Sequence, residues 1–333
     1  MRLPILFTLV AAICLPASAQ RPNFIIILAD DLGYADLGSY RKEADSRTPH
    51  LDRLAAGGMR FTAMRSNCTV CSPSRAALLT GRFPDRVGVP GVIRTAPANS
   101  WGYLAPGIPT LGDLLRPAGY HTSVIGKWHL GLEAPNTPNE RGFDFFHGFL
   151  GDMMDSYTKH LRHGNNYLRR DRAVITPQGH ATDLFTDWAC DQLRARAADR
   201  QPFFLYLAYN APHSPIEPPA DWLARVKERN PGLTAARAAT VALVEHMDDG
   251  IGRVLATLRE TGLEGNTMVA FSSDNGGSLQ HANLNEPWRD GKQSHYDGGL
   301  RVPLIVRWPG VAKPGTESAY AGQVFDLFAT CLD

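Results

Sequence analysis

Two cysteines stand three positions apart in the stretch CTVCSPSRAALLTG, residues 68–81. This spacing is typical of redox pairs and of half a zinc site, but no second pair of zinc ligands follows. A redox helix would begin at the first cysteine, whereas Pro73 and the closing Gly81 place the start of this helix beside Cys71. The sequence therefore predicts that Cys71 lies at the positive end of a helix dipole, with Arg75 one turn along, where an anion can bind.

Polar groups follow four apolar runs of the chain, at the point where each run ends. In an open α/β sheet, ligands bind beyond the carboxyl ends of the strands, so we expect these groups to meet in one site. Each group alone could equally be a loop residue or a helix cap, and it is their number that favours a shared site. The groups are Asp30-Asp31, Lys127-Trp128-His129, His213 and Asp274-Asn275.

The acidic groups among these fit a hard cation. Asp30, Asp31, Asp274 and Asn275 offer only oxygen ligands, which suit calcium or magnesium better than zinc. The competing interpretation is that Asp30 and Asp274 cap the helices that follow them. Against it, two adjacent carboxylates at a strand end repel each other unless a positive charge compensates them.

The runs that precede these groups define the fold class. Each is a continuous apolar stretch bounded by Gly, Pro or Asp, which is typical of strands covered on both faces. A long helical pattern at 234–262 ends in a glycine suited to a C-cap. We therefore expect an α/β fold with a mostly parallel central sheet flanked by helices on both faces. The predicted strands are 23–29, 121–126, 202–209, 267–273 and 302–308.

The composition and the first residues indicate an exported protein. Residues 1–19 carry Arg2, an apolar run and the small-residue ending Ala17-Ser18-Ala19, so we expect a signal peptide cleaved after Ala19 and a periplasmic or secreted protein. The chain has 34 basic and 33 acidic side chains, a balance that excludes the basic surface of a nucleic-acid-binding protein. No later stretch is long and apolar enough for a membrane span, and residues 20–333 are expected to form one domain.

Several blocks of the sequence together resemble the type I sulfatases of the alkaline-phosphatase-like superfamily. CSPSRAALLTG resembles the first signature of that family, and GYHTSVIGKWHLG resembles the second. The blocks PNFIIILADDLGY, NAPHSP, FSSDNGG and WRDGKQSHYDGGLRVP are similar to others of the family and follow in the same order. The resemblance extends from Pro22 to the end of the chain and implies a sulfatase catalytic domain over 20–333.

The resemblance implies an unusual nucleophile. In this family a formylglycine-generating enzyme converts the signature cysteine, here Cys71, to Cα-formylglycine, with Pro73 and Arg75 as the recognition signal. One hydroxyl of the hydrated aldehyde attacks sulfur and expels the alcohol, which leaves a covalent sulfo-enzyme intermediate. The second hydroxyl, once deprotonated, lets the hydrate collapse to the aldehyde and eject sulfate. An ordinary serine has a single hydroxyl, so a serine sulfate cannot release sulfate by this route.

The resemblance also implies a role for each remaining polar group. It assigns one bivalent cation, calcium, to Asp30, Asp31, Asp274, Asn275 and residue 71. Arg75 and Lys127 would stabilise the hydrate, and His129 would take its proton. His213 would bind sulfate and protonate the leaving alcohol, and Lys292 would complete the sulfate contacts. The implied substrate is a sulfated small molecule or glycan, with a carbohydrate sulfate favoured.

The sequence departs from the family pattern at two places. Asp297 stands where the family has Glu, a change expected to preserve hydrogen bonding. The chain stops at VFDLFATCLD, where the family continues into a smaller C-terminal subdomain, so we expect that subdomain to be missing.

Other interpretations remain open at the level of sequence. The protein could be an inactive binder of sulfated glycans, or a phosphatase or phosphodiesterase of the same superfamily, although those use Ser or Thr with zinc. The polar loop 151–171 could contact a sulfated sugar through Asp152, Asp155, His160 and Arg162, or it could be a solvated surface loop.

Overall fold

The computed structural model describes residues 21–96, 100 and 102–333; the predicted signal peptide lies outside them. Within these residues the strands are β1 (Asn23–Ala29), β2 (Met59–Phe61), β3 (His121–Lys127), β4 (Phe145–Phe149), β5 (Leu161–Arg162), β6 (Asn165–Asn166), β7 (Leu168–Arg170), β8 (Ala173–Val174), β9 (Phe203–Ala208), β10 (Thr267–Ser273), β11 (Leu304–Arg307) and β12 (Thr316–Ser318). The helices are α1 (Pro49–Ala56), α2 (Cys71–Thr80), α3 (Leu111–Leu115), α4 (Ala181–Asp199), α5 (Ala220–Arg229), α6 (Ala235–Glu260), α7 (Asp297–Leu300) and α8 (Asp326–Leu332).

One large sheet organises the molecule, in the order β12-β2-β11-β10-β1-β9-β3-β4-β7-β8. The five central strands, β10, β1, β9, β3 and β4, all run parallel. Strand β11 runs antiparallel to β10, and β7 runs antiparallel to β4. The predicted strands are therefore confirmed, with a parallel centre and with the run 302–308 forming an antiparallel flank.

Two apolar layers cover the two faces of this sheet, as the continuous apolar runs predict. On β1, Ile25 and Ile27 pack in one layer with side chains from α4 and α6, while Ile26 and Leu28 pack in the other with side chains from α2 and α3. Alternate residues of a strand point to opposite faces, so a strand buried on both faces needs apolar residues throughout. The expected α/β fold with helices on both faces is confirmed.

The register of the central strands brings their carboxyl ends to one edge. Ala29 at the end of β1 pairs with Ser273 of β10, and Leu28 pairs with Ala208 of β9. The polar groups that follow these strands therefore leave the sheet side by side. None of the helices in the described part of the chain is long and apolar enough to cross a membrane.

Candidate active site

The segment after β1 enters the site through a fixed backbone. The Asp30 N–H donates to the Ala211 carbonyl at 3.1 Å, and the Asp274 N–H donates to the Ala29 carbonyl at 3.1 Å. Asp31 then adopts a left-handed conformation with φ 67°, which is uncommon for a residue other than glycine. Such backbone strain persists where the surrounding structure fixes it, and it clusters at functional sites.

Helix α2 begins at Cys71 and points its first turn at this edge. The preceding residue, Val70, is extended and provides no side-chain cap, while Gly81 at φ 64° ends the helix. Cys71 is only 3% exposed and Arg75 is fully buried. The first turn therefore directs free backbone N–H groups and the Cys71 side chain into the same enclosed space.

Strand β3 delivers Lys127 to the site through an unusual glycine. Gly126 has φ 96°, and a Cβ atom there would collide with the carbonyl oxygen of Ala208 on the neighbouring strand. Only glycine allows this close approach, which carries the following Lys127 into the buried site. Its ammonium donates to Asp30 Oδ2 at 2.6 Å.

Protein cations hold each of the three carboxylates. Besides the Lys127–Asp30 pair, Arg75 contacts Asp274 Oδ2 through Nε at 3.0 Å and Nη2 at 2.7 Å. Lys292 Nζ donates to Asp31 Oδ2 at 2.7 Å. Burial acts to raise the pKa of Asp30, but Lys127 and the surrounding positive charge outweigh it and hold that pKa well below its ordinary value.

These cations do not fully compensate the acidic cluster. Burial, followed by the charge of Asp30, raises the pKa of Asp274 to about 7 although Arg75 acts in the opposite direction. Among the described residues, two buried oxygens have no hydrogen-bond partner: Asp30 Oδ1, whose nearest cation is Arg75 Nη2 at 3.6 Å, and Asn275 Oδ1. Buried polar atoms are almost always paired, so these oxygens are free to bind a cation.

The residues present therefore fit an oxygen-ligated metal ion. Ligand atoms of Asp30, Asp31, Cys71 and His213 lie within 4.8 Å of one another. Asn275 joins them because its amide donates to Asp31 Oδ1 at 2.8 Å, which leaves its own oxygen free. A donor set dominated by carboxylate and amide oxygens suits calcium or magnesium.

The Cys71 thiol is held in its protonated form in this environment. Burial raises its pKa to about 12, although Lys292 and Lys127 act to lower it. Lys292 Nζ lies 3.6 Å from the sulfur. A redox or nucleophilic cysteine needs an accessible thiolate, so the environment of Cys71 disfavours a Cys-x-x-C redox pair. Cys68, like Cys71, is free.

Two histidines direct into the site a ring nitrogen that is not bonded to a backbone carbonyl. His213 Nδ1 lies 2.7 Å from the Ser214 carbonyl, which fixes that nitrogen as the donor and leaves Nε2 facing Asp31 at 3.6 Å. His129 Nε2 likewise donates to the Ile93 carbonyl at 2.7 Å, and its buried Nδ1 has no partner. Burial, followed by Lys127, holds the pKa of His129 well below its ordinary value, so the ring is neutral and can accept a proton.

A cavity of about 360 Å³ opens from this buried cluster to the surface. Asp31, His213 and Lys292 form its inner end. Its outer part is lined by Ser214, Ser278, Leu279, Gln280, His281, Asp290, Gly291, Gln293 and Ser294. A ligand that enters this cavity therefore passes a polar outer section before it reaches the inner groups.

The structure brings the site residues proposed from sequence into one cluster. Arg75 donates to Asp274 and to the Lys127 carbonyl, so its geometry points to orienting a metal ligand and strand β3. The role in stabilising the hydrate stays a prediction. Asp297 contacts Arg65 at 3.2 Å, so it does take part in hydrogen bonding.

In loop 151–171, Arg162 forms ion pairs with two carboxylates of the same loop. Arg162 Nε contacts Asp152 at 3.0 Å and Arg162 Nη1 contacts Asp155 at 2.9 Å, while His160 Nε2 donates to the Gly179 carbonyl. None of these residues is among those that line the cavity. Sugar recognition by this loop stays an untested prediction.

Two residues that support the site, Tyr157 and Asn285, are not predicted by the sequence analysis. Tyr157 Oη lies 2.7 Å from the Asn210 carbonyl and 2.9 Å from that of His213, so it holds the loop that carries this histidine. Asn285 bonds both the N–H and the carbonyl of Gly277. Neither residue has a spacing or a neighbour in the sequence that signals its role.

Comparisons with known proteins identify the family of this chain. The sulfatase family model matches residues 22–333. N-acetylgalactosamine-6-sulfatase of Rattus norvegicus is 36% identical over 338 residues, which cover 94% of this chain and 62% of that protein. Arylsulfatase A of Bos taurus is 34% identical over 343 residues, covering 94% of this chain and 64% of that protein. The chain thus spans less than two thirds of the length of these curated relatives.

A solved structure is similar over nearly the whole chain. Ps i-CgsB in complex with k-i-k-neocarrahexaose superposes with a TM-score of 0.88 and 32% identity, covering 94% of this chain and 71% of the other. The family model, the sequence similarity and the fold similarity extend over nearly the same range of the chain. The chain belongs to the sulfatase family.

Proposed function

We propose that this protein hydrolyses sulfate esters of carbohydrates, with a formylglycine made from Cys71 as its nucleophile. The observation that carries the proposal is the position of Cys71. Its side chain lies at the start of α2, buried beside Lys292 and within ligand distance of Asp30, Asp31 and His213. The relatives named above are sulfatases, and that similarity supports the same reaction class.

The residues around Cys71 fit both groups that the family requires. Calcium would be held by Asp30, Asp31, Asp274, Asn275 and residue 71, and it would polarise a sulfate oxygen as a Lewis acid. The hydrated aldehyde would supply one hydroxyl for attack and a second for release of sulfate.

The chain's own residues provide the charge and the proton carriers. Lys292 and the N–H groups at the start of α2 attract the sulfate anion into the inner end of the cavity. His213 presents Nε2 there, with its orientation fixed by Ser214, and is placed to carry a proton to the leaving alcohol. His129, neutral and with a free Nδ1, is placed to accept a proton.

Peptide mass analysis tests the nucleophile directly. Protein produced with a formylglycine-generating enzyme is digested with trypsin, which releases residues 66–75. We expect the Cys71 side chain to be an aldehyde, which means loss of sulfur and two hydrogens and gain of one oxygen, and we expect an intact thiol at Cys68. An unmodified Cys71 thiol, or a Cys68–Cys71 disulfide, in protein that hydrolyses sulfate esters would overturn the proposal.

Matched cysteine variants separate catalysis from folding. Cys71→Ala is expected to abolish hydrolysis of an aryl sulfate, whereas Cys68→Ala keeps the activity of the unchanged protein. Binding of sulfated sugar without any turnover, in protein carrying the modification, would instead support an inactive binder. Hydrolysis of phosphate esters in preference to sulfate esters would support a phosphatase.

Export remains part of the proposal. Cleavage after Ala19 and a periplasmic or secreted location follow from the signal-like start of the sequence. N-terminal sequencing of the exported protein should begin at Gln20, and an intact Met1 on exported protein would contradict this.

A further inference from the structure

The outer part of the cavity has a rigid backbone and free side chains. We call residues 278–285, whose first four line the cavity, the outer wall. On this wall Ala282 has a left-handed backbone at φ 57°, and Gln293 across the cavity has φ 72°. Neither residue favours this conformation, so surrounding contacts must hold both positions.

Helix α6 and the loop after β1 hold the outer wall from behind. Thr240 donates to the His281 carbonyl, and Arg237 Nη1 donates to the Ala282 carbonyl at 3.0 Å. The Leu284 N–H donates to Asp36 Oδ2 at 3.2 Å. Successive backbone groups of the wall are therefore fixed by side chains that lie outside the cavity.

These supporting side chains include a buried ion pair. Arg237 Nη1 lies 2.6 Å from Asp36 Oδ1, with Asp36 fully buried and Arg237 only 6% exposed. Burying two charges is costly, and apolar packing of the same volume is often at least as stable. Further hydrogen bonds of the pair go to the outer wall, at Ala282 and Leu284, and others go to Asp45 and the Gly33 N–H. The pair therefore helps to fix the position of the outer wall.

A second contact joins the wall to the other side of the cavity. Asn285 accepts from the Gly277 N–H at 2.8 Å and donates to the Gly277 carbonyl at 2.9 Å and the Asp290 carbonyl at 3.1 Å. The Lys292 N–H also donates to the Gly277 carbonyl, at 3.0 Å. The outer wall and the segment that carries Lys292 are thereby held at a fixed separation.

The side chains that this frame presents are polar and unpaired. Among residues 21–96, 100 and 102–333, no partner hydrogen-bonds the side chains of Gln280, His281 or Gln293, all on the cavity lining. Leu279 is the aliphatic side chain of the lining, and Asp290 is the charged one away from the inner end. Such a lining offers hydrogen bonds to neutral groups and little surface to an apolar ligand.

We propose that His281, presented by the rigid outer wall, is a specificity-determining residue that hydrogen-bonds a neutral hydroxyl or amide group of a sulfated sugar. The inference rests on the proposed function and narrows it. The sugar's sulfate occupies the inner end at Lys292, and its uncharged ring substituents lie along the outer wall. Steroid and simple aryl sulfates gain nothing from the wall, and a second anionic group near Asp290 is repelled.

Substrate comparison on His281→Ala tests this inference. The probes are p-nitrophenyl sulfate, a steryl sulfate and a set of neutral monosaccharide sulfates that includes N-acetylgalactosamine 6-sulfate. We expect kcat/KM for the best sugar to fall about tenfold, mostly through KM, since the variant loses one hydrogen bond to the bound sugar. Turnover of p-nitrophenyl sulfate should stay within about twofold. His295→Ala, an exposed histidine outside the lining, is the matched control.

The outcomes distinguish this inference from the proposed function. Equal losses on sugar and aryl substrates, no loss on any sugar, or a wild-type preference for steryl sulfate would overturn the inference while leaving a sulfatase. Absence of hydrolysis of every sulfate ester by protein with modified Cys71 would overturn the function, and the inference with it.

The supporting layer has its own test. Arg237→Met should reproduce the sugar-specific loss of His281→Ala, and the double variant should add little to either, because both changes act through one contact. Fully additive losses would show that Arg237 does not act through His281. Where Arg237→Met fails to fold, His281→Ala alone decides the inference.

Discussion

The inner and outer ends of the cavity are built in opposite ways. At the inner end every charged side chain is bonded to another, as in the pairs of Lys127 with Asp30 and of Lys292 with Asp31. At the outer end the backbone is fixed and side chains such as His281 are free. Under the proposed function, the inner end would bind one anion and one cation, whereas a change of side chain at the outer end would leave that chemistry undisturbed.

Removal of the proposed cation should have the largest effect on activity, because the cation would be bound at the inner end of the cavity. A chelator is expected to abolish activity and to lower Tm, since the three buried carboxylates would keep only the partial compensation that Lys127, Arg75 and Lys292 provide. A ligand at 100 times its Kd contributes about 2.7 kcal/mol to the free energy of unfolding. Calorimetry on chelated protein, with calcium, magnesium or zinc added back, measures this. Restoration by zinc but not by calcium would contradict an oxygen-ligated site.

Lys292→Ala should cost about a hundredfold or more in kcat/KM on both aryl and sugar sulfates. The substitution removes the cation that lies beside both Asp31 and Cys71. Steady-state kinetics with both substrate classes check the expectation. Lys313→Ala, an exposed lysine away from the cavity, is the control and should change neither. A loss of kcat/KM confined to sugar sulfates would show that Lys292 acts at the outer end, and would contradict the distinction between the two ends.

Asn285→Ala should lower kcat/KM about tenfold on both substrate classes, because Asn285 fixes the distance between the two ends. It also leaves the buried Gly277 N–H unpaired, while the Gly277 carbonyl keeps its bond from the Lys292 N–H, so unfolding should become easier by roughly 1–3 kcal/mol. Denaturant titration and kinetics measure the two effects. Asn283→Ala, whose side chain makes a single 3.3 Å bond to the Ser278 carbonyl, is the control and should show a smaller loss. Equal losses of kcat/KM and of stability in the two variants would contradict the role of Asn285 in linking the two ends of the cavity.

Gln293→Ala should have the smallest effect, about threefold in KM on sugar sulfates and none on aryl sulfates. Its side chain faces the cavity without a partner, so its removal costs at most one hydrogen bond to substrate. Gln201→Ala, on an exposed glutamine just before β9, is the control for side-chain loss. A loss on the aryl substrate would show that Gln293 acts on the chemistry of the inner end.

Much of the fold and the inner end could be predicted from the sequence. Apolar runs such as 23–29 identify buried strands, and parallel strands place the residues after them at one edge, so Asp30 and Asp274 could be brought together. Lys292 was found through its motif, because nothing in its local pattern distinguishes it from a surface lysine. The antiparallel direction of β11 could not be deduced from an apolar run, which has the same pattern in either direction.

The ion pairs that support the site could not be predicted from the sequence, for a different reason. Arg75 and Asp274 are 199 residues apart, and Arg237 and Asp36 are 201 apart. The pattern of a charged side chain on a helix indicates a solvated residue unless the partner across the fold is known. The same limit applies to Arg162, whose contacts with Asp152 and Asp155 are visible only in the structure.

The burial of Cys71 constrains the order in which folding and any modification of this side chain can occur. With 3% of its surface exposed, the side chain cannot enter the active site of another enzyme while α2 is packed. Any conversion of Cys71 must therefore take place on a chain that has not yet folded, and folding then closes the site. Under the proposed function, a molecule that folds first would keep its thiol, and the yield of modified protein would depend on the relative rates of modification and folding.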